Sequence, residues 1–283
     1  MCLLSCEAAC GRADAAAPAG AAVELVHSFT LLHDDIADRD EVRRGRPTVW
    51  LRWGVGQAIT AGDALFALAN LAGVQLEANG VPPDTVARVL EELNQATLTV
   101  CEGQQLDISY EGSPDIGVHD YLPMIERKTA ALFAAACSIG ARVAGAAERK
   151  RAVLTAFGRE VGLGFQITDD VLGIWGDPGE MGKPVGGDLR RNKRSLPVIH
   201  ALHSADPGAS AHLADRLAAG VETDEEAADL AALMERLGAR QFCDQMAREC
   251  LDRGLAALES AQPEPAAARD LRTLASFLIE RSR

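Results

Sequence analysis

Apolar positions recur with a helical period along most of this chain. From about Pro18 to Asp38, the residues Ala22, Leu25, Val26, Phe29, Leu32 and Ile36 follow 3.6-type spacing, and acids crowd the end of the run. Gly54 and Gly56 open a second run from about Gln57 to Asn79, which Gly80 and Pro82-Pro83 stop. Asp84 stands where an N-cap would start a long helix reaching about Glu111, and Gly112-Ser113-Pro114 breaks it. Further helices are predicted over about 118–145 and 149–175. From Gly176 to Lys193 the pattern lapses into glycines and prolines scattered among charges. That predicts a long loop, and long loops inside compact domains usually carry function. After Pro197 the Ala/Leu/Glu-rich helical pattern returns, with Thr223 and Glu226 spaced as a capping box and a last helix from about Glu264. No strand alternation, internal repeat or low-complexity linker interrupts the pattern. The prediction is an all-α chain forming one domain over residues 1–283.

Composition supports that reading, because aromatics are only 4% and alanine is abundant, which favours closely packed helices over sheets. The 41 acidic and 28 basic residues give a net charge of −13. Such a charge repels nucleic acid and anionic membrane surfaces, so no nucleic-acid partner is expected. No apolar run is expected to reach the ~20 residues of a spanning helix, and no charged n-region precedes an apolar stretch at the N-terminus. The expectation is a cytoplasmic protein with no membrane span. Of the seven cysteines none forms a C-x-x-C pair, and Cys2, Cys6 and Cys10 fall on one helical stripe. With no fourth ligand nearby they read as reduced thiols packed on a helix face.

The sharpest chemical signal is His33-Asp34-Asp35-Ile36-Ala37-Asp38-Arg39-Asp40. On a helix, Asp34 and Asp38 face the same way with Asp35 beside them, and like charges so placed cost stability. An oxygen-only cluster at the end of an apolar helix suits Mg²⁺, which is held by one or two carboxylates plus substrate phosphates. A second pair, Asp169-Asp170, ends the apolar segment Val161 to Thr168. Carboxylates on two helices of a bundle can point inward to one metal site. Basic residues accompany both clusters: Arg43-Arg44-Gly45-Arg46-Pro47 after the first, Lys183 and Lys193 after the second, and Lys128-Thr129 on a helix between them. In a chain of net −13, cations set beside carboxylates point to a shared anion such as a phosphate, bridged by magnesium and gripped by Arg and Lys.

These residues resemble the trans-isoprenyl diphosphate synthase (polyprenyl synthase) family, from about Leu3 to at least Pro197. Asp34, Asp35 and Asp38 match its D-D-x-x-D, and Arg43, Arg44, Gly45, Arg46 and Pro47 its R-R-G-x-P. Lys128-Thr129 match its K-T pair, Phe165 to Asp170 its F-Q-x-x-D-D, and Gly176 through Pro197 its G-D-P, G-K-P, D-L-R and K-x-S-L-P loop. The resemblance implies an isoprenoid-synthase bundle of about ten or more helices around a central cavity, acting as a homodimer with three magnesium ions per active site. It implies metal binding by Asp34, Asp38 and Asp169, with Asp35 and Asp170 beside them. Arg43, Lys128, Lys183 and Lys193 would bind the allylic diphosphate, Arg44 and His27 the isopentenyl diphosphate, and Thr129 and Gln166 would line the reacting carbons. The implied reaction is ionisation of the allylic diphosphate, condensation with isopentenyl diphosphate, and elimination.

Two departures accompany the match. Gly173 stands where the second motif has its third aspartate, leaving Asp177 or Asp188 as contributors. The family's basic G-K-x-x-R-P segment lies ahead of the matched region, whereas Arg12 is the one basic residue before His27 in the sequence given.

For product length the residue to weigh is Phe29, five positions before Asp34 and roughly 7.5 Å along the helix at 1.5 Å per residue. Its direction differs from that of Asp34 by about 140°, which leaves an ordinary core role equally open. The resemblance, with Thr30 too small to block the cavity, implies geranylgeranyl diphosphate as product and farnesyl diphosphate as runner-up. Two rivals stay open. A class I terpene cyclase needs N-x-x-x-S/T-x-x-x-E, and Asn94 and Glu102 have the outer spacing while Leu98 holds the middle. A non-catalytic subunit of a prenyltransferase is disfavoured by the retained aspartates.

Overall fold

The computed structural model describes residues 1–113, 115–176 and 186–281. Helix α1 (Cys2–Cys10) leads through a single 3-10 turn at Asp14–Ala16 into α2 (Ala17–Ala37). A two-residue hairpin, β1 (Val42–Arg43) with β2 (Arg46–Pro47), precedes α3 (Val49–Trp53) and α4 (Val55–Val74). The long α5 (Pro83–Tyr110) follows. Next come α6 (Val118–Ile125), a π turn over Glu126–Ala130, α7 (Ala131–Val143) and α8 (Glu148–Trp175). From residue 186 onward lie α9 (Gly187–Arg190), α10 (Leu196–Leu202), α11 (Pro207–Ala219), α12 (Asp224–Arg236), α13 (Ala239–Ser260) and α14 (Pro265–Glu280). The all-α expectation holds, and the hairpin is the only sheet among the described residues.

The apolar stripes read from the sequence become three packed clusters. One surrounds α8, with Phe157, Leu154 and Ile167 against α7, α13 and α14. A second joins α2, α4, α5 and α7 through Val26, Ala69, Leu93 and Ile139. A third gathers α9 to α12 around Ile174, Leu189 and Met234. Burial of this kind stabilises by roughly 25 cal/mol per Å² of apolar surface, so the long helices are held by packing more than by propensity. Thr223 does close a capping box with Glu226 at the start of α12.

Some sequence expectations need correction. Asp84 lies in the first turn of α5, because Pro82 takes the capping position and Pro83, with no N–H to satisfy, opens the helix. The run from Gln57 ends its regular helix at Val74 and continues as turns to Gly80. The loop expected up to Lys193 contains α9. Helices over Asp14–Ala37 and Val55–Val74 are long and apolar enough to cross a membrane by length and composition, with mean hydropathy 1.3 and 1.2. The carboxylates at the end of α2 interrupt its apolar face, and isolated Thr, Asn and Gly positions hid both runs from a count of consecutive apolar residues. Of the cysteine stripe, Cys2 and Cys6 are buried while Cys10 is exposed.

The candidate active site

The first acidic cluster is shaped by the way α2 ends. Asp38 donates its amide to Asp34, Arg39 turns through φ 55°, and the Asp40 amide returns to the Asp35 carbonyl. The hydroxyl of Thr48 and the indole of Trp50 both donate to the Asp40 carbonyl, each at 2.8 Å. The hairpin then turns back through Arg44 (φ 52°) and Gly45 (φ 71°), the two left-handed positions a tight hairpin turn requires. Glycine adopts such a φ freely, whereas Arg44 does so at a steric cost, and strained residues of this kind cluster at functional sites.

This reversal lays Arg43 over the end of α2. Its guanidinium pairs with Asp35 and reaches Asp40 at 3.5 Å and Asp34 at 3.9 Å. Burial pushes the Asp35 carboxyl up from its usual range, and the Arg43 hydrogen bond opposes that shift. Burial and neighbouring Asp34 likewise raise Asp38, against Lys193, Lys128 and Arg191. His27 is half-buried, and burial lowers its pKa, with Arg44 and Arg43 adding to the effect.

Two further segments supply the lysines, the π turn carrying Lys128 and the stretch after α9 carrying Lys193. Gly103 of α5 admits the backbone of the π turn so closely that a Cβ there would lie 2.1 Å from the Lys128 nitrogen. One turn further along the same face, Asp107 accepts the Lys128 ammonium at 2.5 Å and that of Lys193 at 3.2 Å. Lys128 also stands 3.2 Å from Asp34 Oδ1. Burial would raise Asp107, yet Lys193 and Lys128 pull its pKa below the ordinary value. Burial would lower Lys193, but Asp107, Asp38 and Asp188 hold it well above the usual lysine value. Both lysines are therefore charged at neutral pH. Arg191 completes the group by pairing with Asp40 and, at 2.8 Å, with Asp188.

The two aspartates of the second cluster face different surroundings. Asp170 is buried: Tyr121 donates its hydroxyl at 2.5 Å, the Leu196 amide donates at 2.8 Å, and Gln166 donates at 3.1 Å. Thr129 in turn donates to Gln166 at 2.6 Å. Burial first, and then the charge of Asp188, raise Asp170 to about 7. Asp169 is 48% exposed and pairs with Arg281 at 2.8 Å.

The fold thus brings Asp34, Asp35, Asp38, Arg43, Lys128 and Lys193 into one charged network, and Thr129, Gln166 and Asp170 into a second, hydrogen-bonded chain. Asp169 stands beside that chain, His27 feels Arg44 and Arg43, and Lys183 lies outside the described residues. Phe29 meets His33 edge-on at 4.9 Å and Phe66 at 5.6 Å, while Thr30 donates to the His27 carbonyl. Sequence reasoning missed Asp107, Tyr121, Arg191, Arg281 and Phe66. Asp107 carried a usable signal, an acid on the buried stripe of α5; the others are joined only by tertiary contact. Asn94 of the near-match to the cyclase motif is bound to Asn70 at 2.8 Å, and Leu98 is exposed, so that motif forms no site.

The donor set suits magnesium. All the carboxylates offer oxygen, and buried Asp34 Oδ1 meets the Lys128 ammonium at 3.2 Å without a well-aligned hydrogen bond. Among the described residues no three acids converge into a ready-made cage. That fits a cation that keeps waters and takes further ligands from a substrate's phosphates.

A helical bundle that gathers carboxylates from two helix ends with buried, charged lysines and an arginine defines the class of isoprenoid synthases, built to hold a metal-associated diphosphate. The polyprenyl synthetase family profile matches residues 1–235. The chain is 44% identical over 276 residues to a geranylgeranyl diphosphate synthase of Mycobacterium tuberculosis, covering 97% of this chain and 76% of that protein. It is 39% identical to a (2E,6E)-farnesyl diphosphate synthase of Mycobacterium bovis, covering 98% and 77%. A crystal structure of geranylgeranyl pyrophosphate synthase from Corynebacterium glutamicum, complexed with isoprenyl diphosphate and magnesium, superposes with a TM-score of 0.89 at 28% identity, covering 99% and 85%. The chain belongs to the polyprenyl synthetase family of trans-isoprenyl diphosphate synthases.

Proposed function

We propose that this enzyme condenses an allylic diphosphate with isopentenyl diphosphate and releases mainly geranylgeranyl diphosphate. The observation that carries the reading is the juxtaposition of Asp34 with Arg43 and Lys128 at the end of α2, with Lys193 joined to Lys128 through Asp107. Magnesium, held by Asp34, Asp38 and Asp169, would neutralise the diphosphate and make it a better leaving group. Arg43, Lys128 and Lys193 grip its remaining oxygens, with Lys183 assigned the same task from the sequence, and all stay charged as the allylic C–O bond breaks. Gln166 and Thr129, fixed by their mutual hydrogen bond, stand along the reacting carbons. His27 and Arg44 hold isopentenyl diphosphate, whose double bond attacks the allylic carbon. The new cation then loses a proton to the released diphosphate, so no side-chain base is required.

Product length falls to Phe29, backed by Phe66, which together place aromatic rings between α2 and α4. The similarity to a geranylgeranyl diphosphate synthase supports the longer product, and that to a farnesyl diphosphate synthase keeps the shorter one as second reading. Large apolar side chains exposed on α3, α4 and α5, among them Trp53, Ile59, Leu68, Leu71 and Leu98, support a homodimer joined through that face. The free thiols and acidic surface fit a cytoplasmic enzyme. The test is turnover of isopentenyl diphosphate with dimethylallyl, geranyl and farnesyl diphosphates, with magnesium and with a chelator, followed by chromatography of the products. C20 chains formed only with the metal are expected. Absence of elongation by the folded protein would leave the non-catalytic-subunit reading in its place. Light scattering checks the dimer: a monomeric mass at micromolar concentration sinks that part.

A further inference from the structure

Phe29 belongs to a set of four positions shared by two helices. His33 lies four residues after Phe29 on α2, and Gly62 lies four residues before Phe66 on α4, so each pair shares one face of its helix. Phe29 meets Phe66 with ring centroids 5.6 Å apart, and His33 sits over Gly62. The contacts of Phe29 with Phe66 and of His33 with Gly62 run in opposite order along the two helices, so α2 and α4 are antiparallel here. Gly62 forms a socket. A Cβ built on it would lie 2.2 Å from His33 Nε2 and 2.5 Å from Cδ2, so the imidazole fills the space that any larger residue would take. The Ile59 carbonyl lies 3.3 Å from the same nitrogen, nearer than the Asp63 carboxylate at 4.0 Å. A carbonyl oxygen can only accept, so this contact selects the tautomer with its hydrogen on Nε2. Anchored at α4 in this way, the imidazole meets the Phe29 ring at 4.9 Å and 76°, an edge-to-face pair. Such pairs favour one ring orientation over its alternatives.

We propose that His33, seated in the socket at Gly62, is the positioning residue that fixes the orientation of the Phe29 ring, and through it the length at which the product stops. The inference rests on the reading of Phe29 as the residue that limits product length. A lone phenyl side chain can change rotamer and swing aside under a growing chain. One braced by Phe66 on one side and by an anchored imidazole on the other must move its neighbours as well. The brace also stands on the helix that carries Asp34, so the carboxylates, the brace and the limiting ring keep a fixed spacing along α2.

The experiment elongates farnesyl diphosphate with excess isopentenyl diphosphate and magnesium, using the full chain, and separates the products by length. His33→Ala is expected to raise the share of chains longer than C20 by roughly 2- to 12-fold, the range over which an edge-to-face pair favours one geometry. Gly62→Ala should give a shift of the same kind, because its methyl displaces the tip of the imidazole while leaving Phe29 in place. Phe29→Ala should lengthen the product, and adding His33→Ala to it should lengthen it no further. A general loosening of the two helices would instead add to the first effect. The magnesium concentration for half-maximal rate should stay at the wild-type value in the His33 and Gly62 variants. Should His33→Ala fail to fold, His33→Gln carries the test, since it keeps a donor for the Ile59 carbonyl but has no ring, and it should give the same shift. A wild-type product distribution in the folded His33 and Gly62 variants, beside a lengthened one in Phe29→Ala, overturns the proposal and leaves Phe29 as the limit. An additive shift in the double variant overturns it too, as does a raised magnesium requirement without longer products. A wild-type distribution in Phe29→Ala removes the limit itself, and the brace with it.

Discussion

The ends of α2 and α8 carry the same pair of adjacent aspartates at the close of an apolar helix, yet the two pairs do different work. At α2 both acids belong to the charged network: Asp35 is locked by Arg43, and Asp34 faces Lys128. At α8 the pair divides. Asp169 stays half-exposed and meets Arg281, while Asp170 is buried, where Tyr121, Gln166 and the Leu196 amide hold it. The reason is the hairpin. After α2 the chain reverses at once and brings Arg43 back over the helix end, whereas α9, α10 and α13 pack against α8 and Tyr121 of α6 reaches Asp170. A carboxylate motif thus fixes what chemistry is available, and the neighbours decide whether each acid meets a cation or a hydrogen-bond donor.

The largest effect should come from the α2 cluster. Asp34→Ala is expected to lower kcat/KM by at least ~100-fold, the scale of a lost electrostatic contribution to leaving-group departure. Steady-state assays with circular dichroism as a fold control decide this, and near-normal turnover removes the metal-site argument.

Next is Asp107, the shared counter-ion. Asp107→Asn leaves Lys128 and Lys193 as facing, partly buried cations, and removing one partner of a buried ion pair costs about 3 kcal/mol or more. A lower Tm and a ~10-fold loss of activity are expected together, again as a loss of positioned charge. A Tm within a degree of wild type would mean that the lysines do not depend on Asp107.

Asp170 sharpens the contrast from the other side, because its effect is on the fold and its pH dependence. Its native pKa near 7 lies above the ordinary carboxylate value, so folding takes up a proton between roughly pH 4 and 7. The stability this group contributes is full below the unfolded value and is lost as pH rises towards 7. In chelator-treated protein Asp170→Asn should flatten the fall of stability across that window. Denaturation midpoints at half-unit pH steps measure it, and parallel curves for both proteins would overturn it.

Phe29→Ala should change rate least and product most. Removing the ring opens space beside Phe66 and should extend the chain by one or more isoprene units with metal dependence intact. An unchanged product distribution would show that the limit lies elsewhere.

Much of this was legible in the chain alone. Helical period, the absence of strand alternation and the spacing of glycines and prolines fixed an all-α fold, since burial of a 3.6-period stripe leaves few alternatives. Local sequence also marked Asp34 and Asp38, with Arg43 and Lys128, as candidate site residues, because like charges ending an apolar helix call for cations nearby. Three matters lay beyond it. That Asp170 is buried against Tyr121, 49 positions away, depends on where the tertiary fold sets α6 relative to α8. That Asp107 joins Lys128 to Lys193 depends on a π turn seated against Gly103. And that the space above Gly173 holds a carboxylate from α9 is a fact of packing. Sequence determines which charges a chain owns and where its helices run; which charges neutralise one another is set by distance, and distance between remote residues exists only once the helices have packed.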